Sequence, residues 1–379
     1  MTSELSSLCS YAKGKVSVDT LSKRNYVSTE NMMPNKGGIV DAGALPSAQY
    51  TQQYIKDDIL VSNIRPYFKK IWMADDDGGC SNDVLVFRAD RGCDSTFLYY
   101  ILANDAFFNY ASATSKGTKM PRGDKTAIMQ YKVPCFNYET QLRIGKLLRS
   151  IDDRIAVNKK INDNLQQQLF SLYENMATAS PCLKEYTLSN LCDFQEGYVN
   201  PPQTHPEYFD GEVKWLRAVD INESFIIETS RTLTKAGFES AKKSALLFEP
   251  NTIAISKSGT IGRLGIIADY MCGNRAVINI APHDTNMLAF IYCFLKSKQR
   301  EFPDMAVGSV QKNLYVSLLE PLSVSIPDNE SLTAFNAVGA SILGMIHNNC
   351  VENTDLANLR DTILPKLMSG EIDASSVLL

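Results

Sequence analysis

The chain has 379 residues, of which 44% are hydrophobic and 21% charged, and its formal net charge is −4 at pH 7. This composition is typical of a globular protein with two or three domains and excludes a disordered or collagen-like chain. No apolar run approaches the roughly eighteen residues of a membrane span. Residues 1–10 lack the basic and apolar stretches of a secretion signal, so we expect a cytoplasmic protein.

Cysteine and histidine usage indicates no metal centre. The nine cysteines are scattered and contain no C-x-x-C pair, and the three histidines are isolated in the sequence. Structural zinc sites need closely spaced pairs of such ligands. We therefore expect reduced thiols and no bound metal.

Residues 1–136 form the first predicted domain and contain 16 Lys and Arg against 14 Asp and Glu. The apolar run at 58–62 predicts a buried strand, and residues 97–102 predict a helix. Two cationic clusters follow these elements. Their members are Arg65, Lys69 and Lys70, and then Lys116, Lys119, Arg122 and Lys125.

Both clusters favour DNA contact. Arginine can bridge the O6 and N7 atoms of guanine in the major groove, whereas lysine more often holds phosphates. Gly117 and Gly123 would let the backbone of the second cluster approach a duplex closely. The alternative for the first cluster is a solvated loop beside two core aromatics, Tyr67 and Phe68.

Residues 137–177 predict one long helix. Apolar and asparagine residues recur at alternating steps of four and three, which is the spacing of a helix with one continuous contact seam. The ladder covers 33 residues, or about 50 Å of helix. Its members are Ile144, Leu148, Ile151, Ile155, Asn158, Asn162, Leu165, Leu169, Leu172 and Met176.

Residues 178–330 form the second predicted domain, with 14 Lys and Arg against 18 Asp and Glu. A buried strand is predicted at 251–256, followed by a glycine-bearing turn with Lys257, Ser258, Thr260 and Arg263. A tight turn between strands is the structural alternative to DNA contact there. The loop at Gln311, Lys312 and Asn313 could read adenine through its amides.

Residues 331–370 predict a second long helix, and residues 371–379 a C-terminal tail. Its ladder is also polar at the centre, and it consists of Phe335, Val338, Ile342, Met345, Asn349, Glu352, Leu356, Leu359, Ile363 and Lys366. In an antiparallel pair Asn158 would meet Glu352, and Asn162 would meet Asn349. Polar seam residues fix register at a cost in stability. Parallel pairing satisfies the same pattern, so the ladders alone leave orientation open.

The two halves repeat each other at an offset of about 190 residues. The strands at 58–62 and 251–256, the helices at 97–102 and 288–295, and the two ladders recur in the same order. The pattern therefore predicts a duplicated unit made of one α+β domain and one long helix.

Several segments resemble the specificity (S) subunit of type I restriction–modification systems. They are residues 64–70, 81–83, 117–123, 141–158, 214–221, 258–263 and 364–372. The resemblance implies two mixed α/β target recognition domains separated by an antiparallel coiled coil, with an internal pseudo-two-fold repeat. It implies a non-catalytic reader of a bipartite, asymmetric duplex DNA site.

The resemblance also implies partners. Two modification subunits would methylate adenine with S-adenosylmethionine, and two restriction subunits would translocate and cleave DNA with ATP and Mg²⁺. No cofactor is expected in this chain.

Two other functions compete with this one. A methyltransferase or nuclease fragment would need a catalytic segment, and Asn200-Pro201-Pro202-Gln203 is the nearest candidate. Gln203 cannot stack on a flipped base as an aromatic residue would. A protein-interaction scaffold without a DNA role agrees with the acidic net charge.

Overall fold

The computed structural model describes residues 2–179, 184–309 and 311–373. Cys182, residues 180 and 181 of the predicted domain boundary, residue 310 of the second-domain loop, and the predicted tail beyond residue 373 lie outside the described residues. Two compact units are present. The first holds the described residues up to Arg154 together with those from Leu356 on, and the second holds Ile155–Asp355.

The first unit is a mixed α+β domain. Its strands are β1 Thr2–Glu4, β2 Cys9–Tyr11, β3 Lys15–Ser17, β4 Tyr26–Val27, β5 Tyr50–Tyr54, β6 Ile59–Ser62, β7 Ile71–Met73, β8 Gly78–Cys80, β9 Val84–Ala89 and β10 Lys132–Pro134. Its helices are α1 Ser95–Ala103, α2 Asp105–Ala113 and α3 Lys125–Met129. The long helix α4, Tyr138–Ala179, starts in this unit.

Strand β6 lies at the centre of the first unit. It is antiparallel to both β9 and β7 in a sheet of order β2-β9-β6-β7. Ile59 and Val61 pack in one core cluster and Leu60 in another, because alternate side chains of a strand point to opposite faces. The continuous apolar run at 58–62 is therefore a strand buried on both faces, as predicted.

The second unit repeats this plan. Its strands are β11 Lys184–Thr187, β12 Cys192–Glu196, β13 Phe209–Leu216, β14 Phe225–Ile226, β15 Thr232–Leu233, β16 Ile253–Ser256, β17 Leu264–Ile267, β18 Cys272–Gly273, β19 Val277–Pro282 and β20 Ser323–Ile326. Its helices are α5 Lys235–Glu239, α6 Leu288–Lys298, α7 Phe302–Met305 and α8 Val316–Leu319, and α9 Asn329–Ser369 starts there.

The main sheets of the two units correspond. The order β12-β19-β16-β17-β14 matches β2-β9-β6-β7 with one strand added at its edge. A smaller sheet accompanies each, β3-β5-β8-β4 in the first unit and β15-β13-β18 in the second. In the first unit β10, the last strand before α4, pairs with β1. In the second unit β20, the last strand before α9, pairs with β11 in the same antiparallel way.

Helices α4 and α9 pair in antiparallel fashion. In the second unit Asn158 Nδ2 donates to Glu352 Oε2 at 2.8 Å and to Asn353 Oδ1 at 3.0 Å. Asn349 Nδ2 donates to Asn162 Oδ1 at 2.8 Å. Residue numbers therefore increase along α4 as the numbers of their partners on α9 decrease. The two helices are antiparallel, an orientation that the ladders alone did not determine.

On α4 the predicted seam residues are buried or partly buried except Leu172, which is 41% exposed. The neighbouring Tyr173 is buried in its place. On α9 four residues of the predicted ladder are exposed, so their assignment to the seam is wrong: Val338, Met345, Leu359 and Lys366. The buried neighbours are Ile346 and the partly buried Arg360, whose Nη1 donates to Asp152 Oδ1 at 2.6 Å in the first unit. The predicted ladder was built mainly on apolar residues and therefore did not include Arg360.

With that correction the two helices match residue by residue. Each seam position of α4 plus 191 gives a seam position of α9, and the matched residues of α9 are Phe335, Gly339, Ile342, Ile346, Asn349, Asn353, Leu356, Arg360, Leu364 and Leu367. Asn158 corresponds to Asn349, and Asn162 to Asn353. The two Asn–Asn hydrogen bonds are therefore equivalent under the internal repeat.

Candidate nucleic-acid interface

In the first unit the two predicted cationic clusters lie together. Residues 115–123, here called the first closing loop, are held shut by paired backbone bonds between Lys116 and Arg122, 2.8 and 2.9 Å long. The loop also bonds to the end of β6, since the Arg65 amide donates to Pro121 O at 2.8 Å. One surface thus carries both clusters, which are about fifty residues apart in sequence.

The cations of the first closing loop face solvent. Lys116 pairs with Asp124 at 2.5 Å and Arg122 with Asp83 at 3.1 Å, and these two cationic side chains are 80% and 55% exposed. Exposed ion pairs of this kind contribute little stability, so phosphates can replace the carboxylates at small cost. Lys119 and Lys125 are exposed and have no ion pair within the described part of the chain.

Lys69 and Lys70 are already engaged by protein groups. Lys69 Nζ donates to Asp105 Oδ2 at 2.8 Å, and Lys70 Nζ donates to Thr29 O at 2.6 Å. Burial lowers the pKa of Lys70, because desolvation disfavours its charged form. Their predicted contact with phosphates would require these bonds to break.

Asp105 collects two lysines, Lys36 at 3.0 Å and Lys69 at 2.8 Å. Partial burial would raise the pKa of Asp105, but the hydrogen bonds and charges of the two lysines outweigh it and lower the pKa. The carboxylate is therefore held ionised at the first turn of α2. Arg65 is half-buried, and its Nε is buried without a hydrogen-bond partner in the described residues.

In the second unit the predicted turn joins β16 to β17. Gly259 and Gly262 have φ values of +78° and +86°, which favour glycine. Lys257 points inward, with its Nζ 2.8 Å from Glu196 Oε1 and 4.7 Å from the centre of the Tyr315 ring. Its side chain is only 13% exposed, so the predicted contact of Lys257 with DNA would require it to leave Glu196.

The other predicted residues of this turn are less buried. Thr260 is exposed, and Ser258 and Arg263 are half-buried. The turn is stabilised from within, since Ser256 Oγ accepts from the Arg263 amide at 2.8 Å. Arg263 has no ion pair within the described residues, so its contact with DNA stays a prediction.

The second closing loop, residues 307–313, has the construction of the first. Val307 and Asn313 form paired backbone bonds of 3.0 and 2.9 Å, and both residues lie 191 positions after Lys116 and Arg122. Gln311 and Lys312 are exposed, whereas the side chain of Asn313 already donates from Nδ2 to Gln311 O at 3.1 Å.

Sequence reasoning missed several exposed groups beside these loops. Tyr67, Phe68 and Met120 are 52%, 39% and 48% exposed, so the two aromatics are not core residues. Arg275 is exposed and adjoins Ala276, whose carbonyl accepts from the Lys257 amide. Arg275 has no basic neighbour in sequence, so a search for charge clusters could not find it.

Other kinds of site are not supported. Among the described residues, no group of three or more His, Cys, Asp or Glu side chains is placed to hold a metal ion. Nor does that part of the chain contain a helix both long and apolar enough to cross a membrane.

The chain is similar in sequence to known specificity subunits. The chain is 24% identical over 303 residues to the type I restriction enzyme MjaIX specificity subunit of Methanocaldococcus jannaschii, which covers 74% of this chain and 70% of that one. It is 27% identical over 176 residues to the HindI specificity subunit of Haemophilus influenzae, covering 45% and 38% of the two chains.

A crystal structure of a type I restriction–modification S subunit from M. genitalium superimposes with a TM-score of 0.57 at 19% identity, over 97% of this chain and 96% of that one. This likeness shows the fold. The family model of the type I restriction modification DNA specificity domain matches residues 1–167 and again 183–354. The chain therefore belongs to the type I restriction–modification DNA specificity family, and its function is recognition of a DNA sequence.

Proposed function

We propose that the chain reads a bipartite, asymmetric duplex site, with one half-site for each recognition domain and an unread spacer between them. The observation that carries this proposal is the matched pair of closing loops, which share their backbone bonds and the 191-residue offset. Their side chains differ, with Lys119 and Arg122 in the first loop and Gln311 and Lys312 in the second. Different side chains on equivalent loops would select different half-sites.

The chain would act without catalysis of its own, in a cytoplasmic complex with two modification subunits and two restriction subunits. S-adenosylmethionine would be bound by the former, and ATP with Mg²⁺ by the latter. Exposed apolar side chains on the long helices support docking of partners. In the second unit, Ile161 on α4 and Val338 and Met345 on α9 are 41%, 48% and 48% exposed.

Methylated-adenine mapping in cells with and without this gene tests the proposal. We expect one bipartite motif to disappear when the gene is deleted. A footprint of the chain with its modification partner should then show two protected segments on that motif with an unprotected middle. A single continuous footprint, or a methylation pattern that does not change, would contradict the proposal.

A further inference from the structure

The feature that the DNA-contact predictions do not include is a one-turn 3₁₀ helix, Pro66–Phe68, at the end of β6. We call it the aromatic turn. Its two rings, Tyr67 and Phe68, have centroids 4.8 Å apart and lie at 55° to each other. Since they are 52% and 39% exposed, the pair forms an apolar projection on the surface of the first unit.

The aromatic turn is held by backbone bonds from a separate segment. The amides of Asn35 and Lys36 donate to Phe68 O at 2.8 Å and to Lys69 O at 2.9 Å. Within the turn, the Phe68 amide donates to Arg65 O at 3.0 Å. The backbone that carries the two rings is therefore fixed by these bonds.

Unfavourable backbone conformations concentrate at this turn. Arg65 and Lys69, which flank it, and Asn35 and Lys36, which support it, have φ values of 50°, 52°, 55° and 62°. They are four of the nine described non-glycine residues with positive φ. Side chains with a Cβ atom adopt this region at a cost, and such strain persists in proteins mainly where function uses the resulting geometry.

The surroundings of the turn identify its ligand as DNA. Arg65 lies directly before it and bonds to the first closing loop through Pro121 O. That loop contributes the exposed cations Lys116, Lys119 and Arg122 and the 48% exposed Met120. An apolar projection beside cations fits a duplex, because the cations match the phosphates while apolar rings can pack against base edges such as the thymine methyl group.

We propose that Tyr67 and Phe68 contact bases of the half-site read by the first unit, and so contribute to sequence selection rather than to general affinity. Phe68 has no group that can bond a phosphate, and apolar contact with bases is a recognised form of direct readout. This inference rests on the proposed function, since it needs a half-site for the first unit.

The test uses the full chain with its modification partner and three duplexes: the mapped site, and the same duplex with either half-site scrambled. Tyr67→Ala with Phe68→Ala should weaken binding to the mapped site about 10-fold to 100-fold. The penalty should vanish when one particular half-site is scrambled and persist when the other is. The salt dependence of binding should not change, because no phosphate contact is lost.

Two control variants separate the ring contact from other effects. Tyr67→Phe keeps the ring and should keep the discrimination, whereas a phosphate contact by the hydroxyl would be lost. Tyr50→Ala removes a tyrosine of similar exposure, 54%, from strand β5 in the smaller sheet and should leave binding unchanged. Thermal unfolding of each variant checks that the fold is kept.

The outcomes are distinguishable. If the double variant binds all three duplexes with an equal penalty, or with none, Tyr67 and Phe68 do not read bases, and the proposed function stands. If the unaltered chain does not discriminate between the mapped and scrambled duplexes, the proposed function itself fails.

Discussion

The turn after β6 and the turn after β16 occupy the same place in the two units and use their side chains differently. The Asn63 amide donates to Asp83 O at 2.8 Å, and the Lys257 amide donates to Ala276 O at 2.7 Å. These backbone bonds are equivalent. The first unit, however, projects aromatic rings and cations from this region, whereas Lys257 in the second forms an ion pair with Glu196 and is only 13% exposed.

The difference shows that backbone hydrogen bonds fix the shape of these turns and loops, whereas their side chains determine which groups are exposed. Both closing loops keep their paired bonds and their bond to the preceding turn, as in Gly123 to Asn63 O at 3.1 Å and Leu314 to Lys257 O at 2.9 Å. Main-chain bonds do not depend on side-chain identity, so the loops can change chemistry without losing shape. Charge counts per domain therefore do not measure what each domain presents to DNA.

Of the substitutions that distinguish the two turns, the one at Lys257 should have the largest effect, which is on the free energy of unfolding. Lys257→Met removes the ion-pair partner of Glu196, whose side chain is 20% exposed, and leaves it the hydrogen bond from the Tyr198 hydroxyl. We expect the free energy of unfolding to fall by about 2–3 kcal/mol, measured by urea titration, because a mostly buried carboxylate loses its counter-charge. Lys119→Met should change it by less than about 0.5 kcal/mol. A stable Lys257→Met variant would contradict the structural role.

Lys119→Ala with Arg122→Ala should weaken DNA binding about 10-fold to 50-fold at low salt and lower the slope of log K against log salt by about 2. The matched change in the second closing loop, Lys312→Ala, removes one cation and should lower that slope by about 1. Filter binding or fluorescence anisotropy over a salt series gives both numbers. If both variants lowered the slope by the same amount, the first closing loop would contact no more phosphates than the second.

At the polar centre of the helix pair, the two equivalent Asn–Asn hydrogen bonds should respond to substitution in the same way. Asn158→Leu with Asn353→Leu, and Asn162→Leu with Asn349→Leu, alter equivalent hydrogen bonds. Each double variant should be more stable by about 1 kcal/mol and should populate a second register. Distances between spin labels at exposed Lys160 and Gly344 measure this, since a shift of seven residues moves a label by about 10 Å. A single unchanged distance would place the register determinant elsewhere.

The smallest effect should be a pH dependence confined to the first unit. The pKa of Asp105 is lowered in the folded chain, so its stabilisation is complete above the ordinary carboxyl pKa and is lost as pH falls through the folded value. Asp105→Asn should remove a few tenths of a kcal/mol at pH 6, because the pair is partly exposed, and less at pH 2, where more of the carboxyl is protonated. Unfolding curves at both pH values check this; an equal difference at both would exclude the lysine contacts as its cause.

Much of the fold follows from local sequence. The strand at 58–62 and the helix at 97–102 were predicted from short apolar runs, and α4 from its repeat of about 3.5 residues, because burial selects apolar residues in local patterns. The errors on α9 have the same origin. Arg360 satisfies its charge with Asp152, 208 positions away, which no local period records.

The amino-acid sequence by itself determined the duplication, the two long helices, their polar centres and the cationic closing loops, because these are repeats and periodicities of neighbouring residues. Only the tertiary structure decided the helix orientation and which side chains reach solvent. Lys257 pairs with Glu196, 61 positions away, and the backbone of the turn that carries Tyr67 and Phe68 is bonded to Asn35 and Lys36. Such contacts join distant segments, so the direction of a side chain depends on packing that a sequence pattern does not contain.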